Sequence, residues 1–343
     1  MNYEILTDYN SIDINKWAEF VKNHPDGNAF QTPEMFRIYK SAKFYEPVVI
    51  ICEDEITEIQ GLIVSVIQRE FSGVLGKLSS RSIIWGAPLI KGNNPEILNI
   101  LLKGYDNYIK KKAVYTQIRN LWDTEELKND FEKCGYIYED HLNILIDLTK
   151  SEEILWKEIY SRRRSQINKS ERKGISVKIF DEPVLVEESY NILLDVYERA
   201  KLPLPGREFF KEANKILAEK GYLKFFGAFY NDRIVGVMYL LCYNGRTYEW
   251  YIGSYLDYMR MHPNDLVIWE ILKWGKENGY RIFDFGGAGR PDREYGVREY
   301  KKKFGGATLN LGRYQKVHNR FLMNISVVGF KIWQFFKFGF RTS

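Results

Sequence analysis

The sequence predicts an α/β protein of two domains, each a mixed sheet flanked by helices, and three observations carry that prediction. The chain has 343 residues, enough for two domains of ordinary size with a core in each. Hydrophobic residues make up 45% and charged residues 28%, the balance of a globular chain. The order strand, strand, strand, helix, strand, helix, strand occurs twice, which reads as an internal duplication.

Two short helices, Asn15 to Val21 and Pro33 to Lys43, precede the first copy, and Thr32 before Pro33 suits an N-cap before a first helical position. The β-rich runs Glu46 to Cys52 and Ile56 to Gln68 pair through the polar turn Glu53-Asp54-Glu55. Ser82 to Ile90 is a third strand, broken by Gly86 and Pro88. Ile97, Leu98, Leu101, Leu102, Tyr105 and Ile109 recur at helical spacing within Pro95 to Lys112. A strand at Val114 to Ile118, a helix at Thr124 to Cys134 and a strand region at Tyr136 to Leu148 complete the copy.

The second copy opens with a hairpin, Leu223 to Tyr230 and Ile234 to Tyr243, around Asn231-Asp232-Arg233. A strand at Thr247 to Ser254, a helix at Asn264 to Asn278 and a strand from Arg281 follow. That strand breaks at Gly286-Gly287, then a basic helix runs from Val297 to Phe304, closed by Gly305-Gly306, and a last strand spans Thr308 to Tyr314. A glycine turn lets a ligand approach the backbone and a lysine-rich helix supplies cations; the plainer reading is a tight turn beside a solvated helix. The third strand is aromatic in both copies, with Trp85 in one and Trp250 in the other.

Between the copies, Ser151 to Val177 reads as one helix made basic by Lys157, Arg162, Arg163, Arg164, Lys169, Arg172 and Lys173. A solvated face and a basic wall beside a cleft are both open readings. Helices at Val184 to Arg199 and Glu208 to Lys220 are joined by KLPLPGR, which sets Arg207 at a helix start, a place suited to a phosphate. The expected domains are therefore 1–150, 151–316 and a basic aromatic terminal helix, 317–343.

Net charge is +5, but from Tyr300 onward there is no Asp or Glu and there are nine Lys or Arg, so the rest of the chain carries five less nine, or −4. Such local basicity points to a local anionic partner. Cys52, Cys134 and Cys242, like His24, His141, His262 and His318, are few and scattered, which disfavours a disulfide framework, a metal site and a histidine triad. The N-terminus shows no basic region followed by an apolar run, so no signal peptide is expected and a cytoplasmic location is.

The doubled module resembles the GNAT (acyl-CoA N-acyltransferase) fold in tandem. Ser161 to Ile179, Phe283 to Gly289, Tyr295 to Gly306 and Ala29 to Lys40 resemble segments of the FemABX-type peptidoglycan bridge aminoacyltransferases and of the related CelD-like GNAT acetyltransferases. The resemblance implies an acyl- or aminoacyltransferase acting on an amine of a cell-wall precursor. It also implies no tightly bound cofactor and either aminoacyl-tRNA or acyl-CoA as co-substrate. Lys301, after aromatic Tyr300, would stabilise the oxyanion of acyl transfer, and Glu249 stands on the strand where a general base belongs, unless it merely faces water. Arg207 and Lys40 would contact substrate phosphate, and Arg163, Arg298 and Tyr300 are further substrate-binding candidates.

The implied partners are a phosphate-bearing precursor, nucleotide- or lipid-linked, and tRNA. Peripheral contact with the inner membrane face would run through Arg320 to Arg341, where aromatics and cations share a helical period. One departure stands out. Ser254 to Leu266, SYLDYMRMHPNDL, has no glycine where simple acetyl-CoA enzymes cradle pyrophosphate. Two other functions fit the same residues: an acyl-CoA-dependent N-acyltransferase on an amino sugar of surface polysaccharide, and a non-catalytic protein that binds RNA or phospholipid.

Overall fold

A computed structural model describes residues 2–325. The chain forms two compact units, one of residues up to 139 together with those from 312, the other of residues 140–311.

The first unit opens with β1 (Tyr3–Leu6), α1 (Ile14–Asn23) and α2 (Pro33–Ser41). Thr32 caps α2 as expected, its Oγ1 accepting the Met35 N–H at 3.2 Å. Then follow β2 (Tyr45–Asp54), β3 (Ile59–Gln68), α3 (Gly73–Leu78), β4 (Arg81–Trp85), β5 (Leu89–Ile90), α4 (Pro95–Ile109), β6 (Tyr115–Arg119), α5 (Lys128–Lys133) and β7 (Ile137–Glu139). The apolar stripe of α4 packs on β2 and β3, burying Leu98, Leu101 and Tyr105 against Ile50, Cys52 and Ile63.

The second unit runs β8 (Leu142–Asp147), α6 (Glu152–Glu158), α7 (Ser161–Arg172), β9 (Ser176–Phe180), α8 (Pro183–Arg199), α9 (Arg207–Ala213), β10 (Leu223–Tyr230), β11 (Arg233–Tyr243), β12 (Arg246–Ser254), α10 (Pro263–Glu277), β13 (Ile282–Gly287), α11 (Gly296–Lys302) and β14 (Ala307–Asn310). The chain then returns to the first unit as β15 (Arg313–Val317). The α10 face buries Leu266, Ile268 and Leu272 against Met238, Leu240 and Phe283 of the sheet.

Both sheets are mixed. The first is ordered β1-β2-β3-β4-β6-β15-β7 with β5 on β3, the second β14-β8-β13-β12-β11-β10-β9. Among the described residues, only β4–β6 and β12–β13 pair parallel. The two orders correspond: β2-β3-β4-β6-β15-β7 matches β10-β11-β12-β13-β8-β14. The expected duplication is therefore present as two sheets of like strand order.

Three expectations are corrected. The domain boundary does not fall at 150, because the region Tyr136 to Leu148 is two strands, β7 in the first sheet and β8 in the second. Likewise Thr308 to Tyr314 divides at Gly312, with φ of 67°, into β14 of the second sheet and β15 of the first. Hydrophobic period alone cannot tell which sheet completes a strand. The stretch Ser151 to Val177 is not one helix either: Ile159 and Tyr160 adopt extended backbone between α6 and α7, and Gly174, at φ 84°, leads into β9. Among the described residues no helix is long and apolar enough to cross a membrane. The proposed interfacial helix, Arg320 to Arg341, lies beyond the described residues from 326 onward.

Candidate active site

The site starts from a fork in the second sheet. Parallel pairing of β12 with β13 covers only Arg246–Tyr248 against Ile282–Asp284, after which no ladder pair joins them. Two features accompany the parting. Trp250 stands opposite no residue of β11, because Glu249 faces Leu240 and Tyr251 faces Tyr239, which is a bulge. On β13, Gly286 takes φ of 68°, and a Cβ there would lie 2.7 Å from the Tyr248 hydroxyl oxygen. In the first unit the corresponding strands β4 and β6 stay paired through Trp85 and Arg119, and the Gly86 N–H donates to Arg119 O at 2.8 Å. Arg119 lies 4.5 Å over the Trp85 ring, which stacks on Phe30, so that pair of strands is closed and capped.

The backbone left unpaired by the fork is met by α11. Lys301 Nζ donates to Phe285 O and, at 3.5 Å, to Gly287 O, and it pairs with Glu249 Oε1 at 3.0 Å. The Lys301 and Glu249 side chains are 9% and 8% exposed. Glu249 therefore does not face water; it is half of a buried ion pair. Burial raises its carboxyl above the usual range, and the Lys301 ammonium offsets part of that rise. Asp284, on the neighbouring strand, accepts the Gly286 N–H at 2.6 Å and is pushed up to about 6 by burial, against the pull of that N–H and of Lys301.

Three of the expected substrate contacts make contacts within the protein. Tyr300 donates its hydroxyl to Asp265 Oδ1 at 2.8 Å, and Arg163 of α7 pairs with Asp265 Oδ2 at 2.5 Å while lying 4.5 Å over the Tyr300 ring. Burial, then the Asp265 charge, lifts the Tyr300 phenol well above its ordinary value, so it stays a donor. Arg298 spends its guanidinium on the carbonyls of Ala288, Arg290 and Arg293, which fixes the turn after β13. Arg163 and Arg298 are buried, 7% and 8% exposed.

Residues 161–302 match the family described as "Acetyltransferase (GNAT) domain". FemX matches in structure with a TM-score of 0.73 and 16% identity, over 95% of this chain and 99% of that chain. A tandem GNAT protein from the clavulanic acid biosynthesis pathway matches with a TM-score of 0.59 and 8% identity, over 93% of this chain and 99% of that one. The chain has a tandem GNAT fold, similar to that of FemX. The structure of L-PGS from Bacillus licheniformis matches with a TM-score of 0.59 and 16% identity, over 92% of this chain and 96% of that one. No curated protein sequence matches the chain.

Within the matched domain, the segment that lacks glycine forms a short helix and a left-handed turn before α10. Leu256–Met261 is a 3-10 helix, His262 turns at φ 60° into Pro263, and the Asp265 N–H donates back to His262 O at 3.1 Å. Arg207 opens α9, half exposed, donating to Asn191 Oδ1 at 2.6 Å and lying 4.7 Å over Tyr190. Lys40 is exposed at the end of α2 in the first unit, 5.9 Å over the Tyr9 ring. Sequence reasoning missed Asp265 and Asp284. Asp265 reads as a helix-start acid, but an acid between Phe283 and Phe285 on a central strand was a signal, since both faces of such a strand are buried. Among the described residues no group of three or more His, Cys, Asp or Glu could hold a metal ion.

Proposed function

We propose that the second unit transfers an acyl or aminoacyl group to an amine of a phosphate-bearing cell-envelope precursor. The observation that carries this reading is the buried Glu249–Lys301 pair where β12 and β13 part. The acceptor nitrogen attacks the donor carbonyl, and Glu249 takes the proton the amine sheds as the C–N bond forms. A carboxylate with a raised pKa is better matched to that task than an exposed one. The carbonyl oxygen gathers charge and is met by the Lys301 ammonium, whose 3.5 Å contact to Gly287 O is the longest of its three and the easiest to exchange. Collapse of the intermediate expels the thiolate or alkoxide of the donor, and no covalent enzyme intermediate is needed.

The FemX and L-PGS resemblances support an envelope component as acceptor class, and half-exposed Arg207 is the phosphate contact of this reading. The acetyltransferase family match favours a second donor reading, acyl-CoA acting on an amino sugar. Incubation with a UDP-linked muropeptide and either aminoacyl-tRNA or acetyl-CoA, read by mass spectrometry, separates the two. Lys301→Met should lower turnover by about 10²-fold while acceptor binding holds. Parent-level turnover in that variant would remove Lys301 from the chemistry.

A further inference from the structure

We propose that Asp265 and the Tyr300 hydroxyl form a positioning device that holds the Lys301 ammonium at the strand fork, and that neither contacts substrate. This rests on the reading of Lys301 given above. Tyr300 and Lys301 are neighbours on α11, yet each is anchored to a different element: Tyr300 to Asp265 on α10, Lys301 to Glu249 on β12. Asp265 is itself held from behind by Arg163, with side chains 4% and 8% exposed, so both of its oxygens are used and neither faces solvent. Arg163 also covers the Tyr300 ring, which leaves that ring no open face toward a ligand on that side.

The helix that carries Lys301 needs such a brace. It has only seven residues, its N-cap makes no side-chain hydrogen bond, and Val297 is 43% exposed. A short helix without a cap is marginal by itself. Its position is set by Arg298 on the preceding turn, by Phe304 in the core, by the Tyr160 N–H donating to Lys303 O at 3.0 Å, and by Tyr300 on Asp265. Of these, the Tyr300–Asp265 bond lies next to Lys301 along the chain. Losing it frees the turn that aims the ammonium, and small displacements of a charge are costly in a buried site.

Tyr300→Phe removes the hydroxyl and keeps the ring under Arg163; Asp265→Asn keeps the shape and removes the charge. Two measurements test the device. The first is labelling of Lys301 by acetic anhydride, read by peptide mass spectrometry, which requires no knowledge of the substrate. Both variants should acetylate Lys301 at least about threefold faster than the parent while other lysines keep their rates. The second is a double-mutant cycle on turnover, in which Tyr300→Phe should cost about tenfold in kcat in the parent but nothing further in Lys301→Met, with KM shifted less than about twofold. Unchanged Lys301 labelling in a folded Tyr300→Phe protein overturns the proposal, whatever the activity. Faster labelling with no acyl transfer in any protein keeps the device and overturns the function instead. An equal loss in both backgrounds shows a role that does not act through Lys301.

Discussion

Asp284 shows at the scale of one residue what this fold tolerates. Its carboxyl is buried and raised from 3.8 to about 6. A raised folded-state pKa means that stability is full below the unfolded value and is lost as pH rises through about 6. Asp284→Asn keeps the oxygen that accepts the Gly286 N–H and ends that loss. At pH 7.5 the variant should be more stable than the parent by an amount on the order of 3 kcal/mol, and at pH 3.5 the two should agree. Urea unfolding at both pH values checks this; an equal destabilisation at both would mean that the hydrogen bonds, not the buried charge, dominate. Lys301 was legible in the sequence because a Tyr-Lys-x-x-Phe-Gly run closing a basic helix is distinctive. Its setting was not. Asp265 and Tyr300 are 35 residues apart, and a partnership at that distance leaves no local periodicity to read.

At the scale of elements, α4 was legible from its helical apolar period and the β10–β11 hairpin from two mostly apolar runs around a polar turn. What local pattern could not show was where a continuous apolar run divides. Gly312 is such a point: it lies between β14 and β15 at φ 67°, and a Cβ there would come within 2.1 Å of the Tyr138 ring. Gly312→Ala should cost at least about 2 kcal/mol through backbone strain and the clash together. A urea midpoint within error of the parent would show that the crossing is more pliant than its geometry indicates.

For the whole molecule, the duplication was legible and the exchange of strands was not. β8 precedes the second unit's helices in the chain yet sits between β13 and β14 of its sheet, while β15 follows them and sits between β6 and β7. A cut at residue 150 therefore removes an interior strand, second from the edge, from one sheet and leaves a stray strand behind. A fragment of residues 140–311 should fold cooperatively, whereas one of residues 151–316 should aggregate or melt without a transition, because β13 and β14 would lose the strand that joins them. Circular dichroism melts of the two fragments decide this, and equal stability would mean that β8 is dispensable. The same bookkeeping of strands puts the whole Glu249–Lys301–Asp265 network within residues 140–311.

The pH dependence of acyl transfer by the parent and by Glu249→Gln tests the role of this pair most directly. Glu249 is raised above its ordinary 4.5. As a general base it must be ionised to work, so kcat/KM should fall as pH drops through that raised value and be fully expressed above it. Glu249→Gln should transfer at least about 10²-fold more slowly at pH 8, with the acid limb gone. Parent-level transfer by Glu249→Gln, with the same acid limb, would contradict the assignment of this pair as the centre of the chemistry.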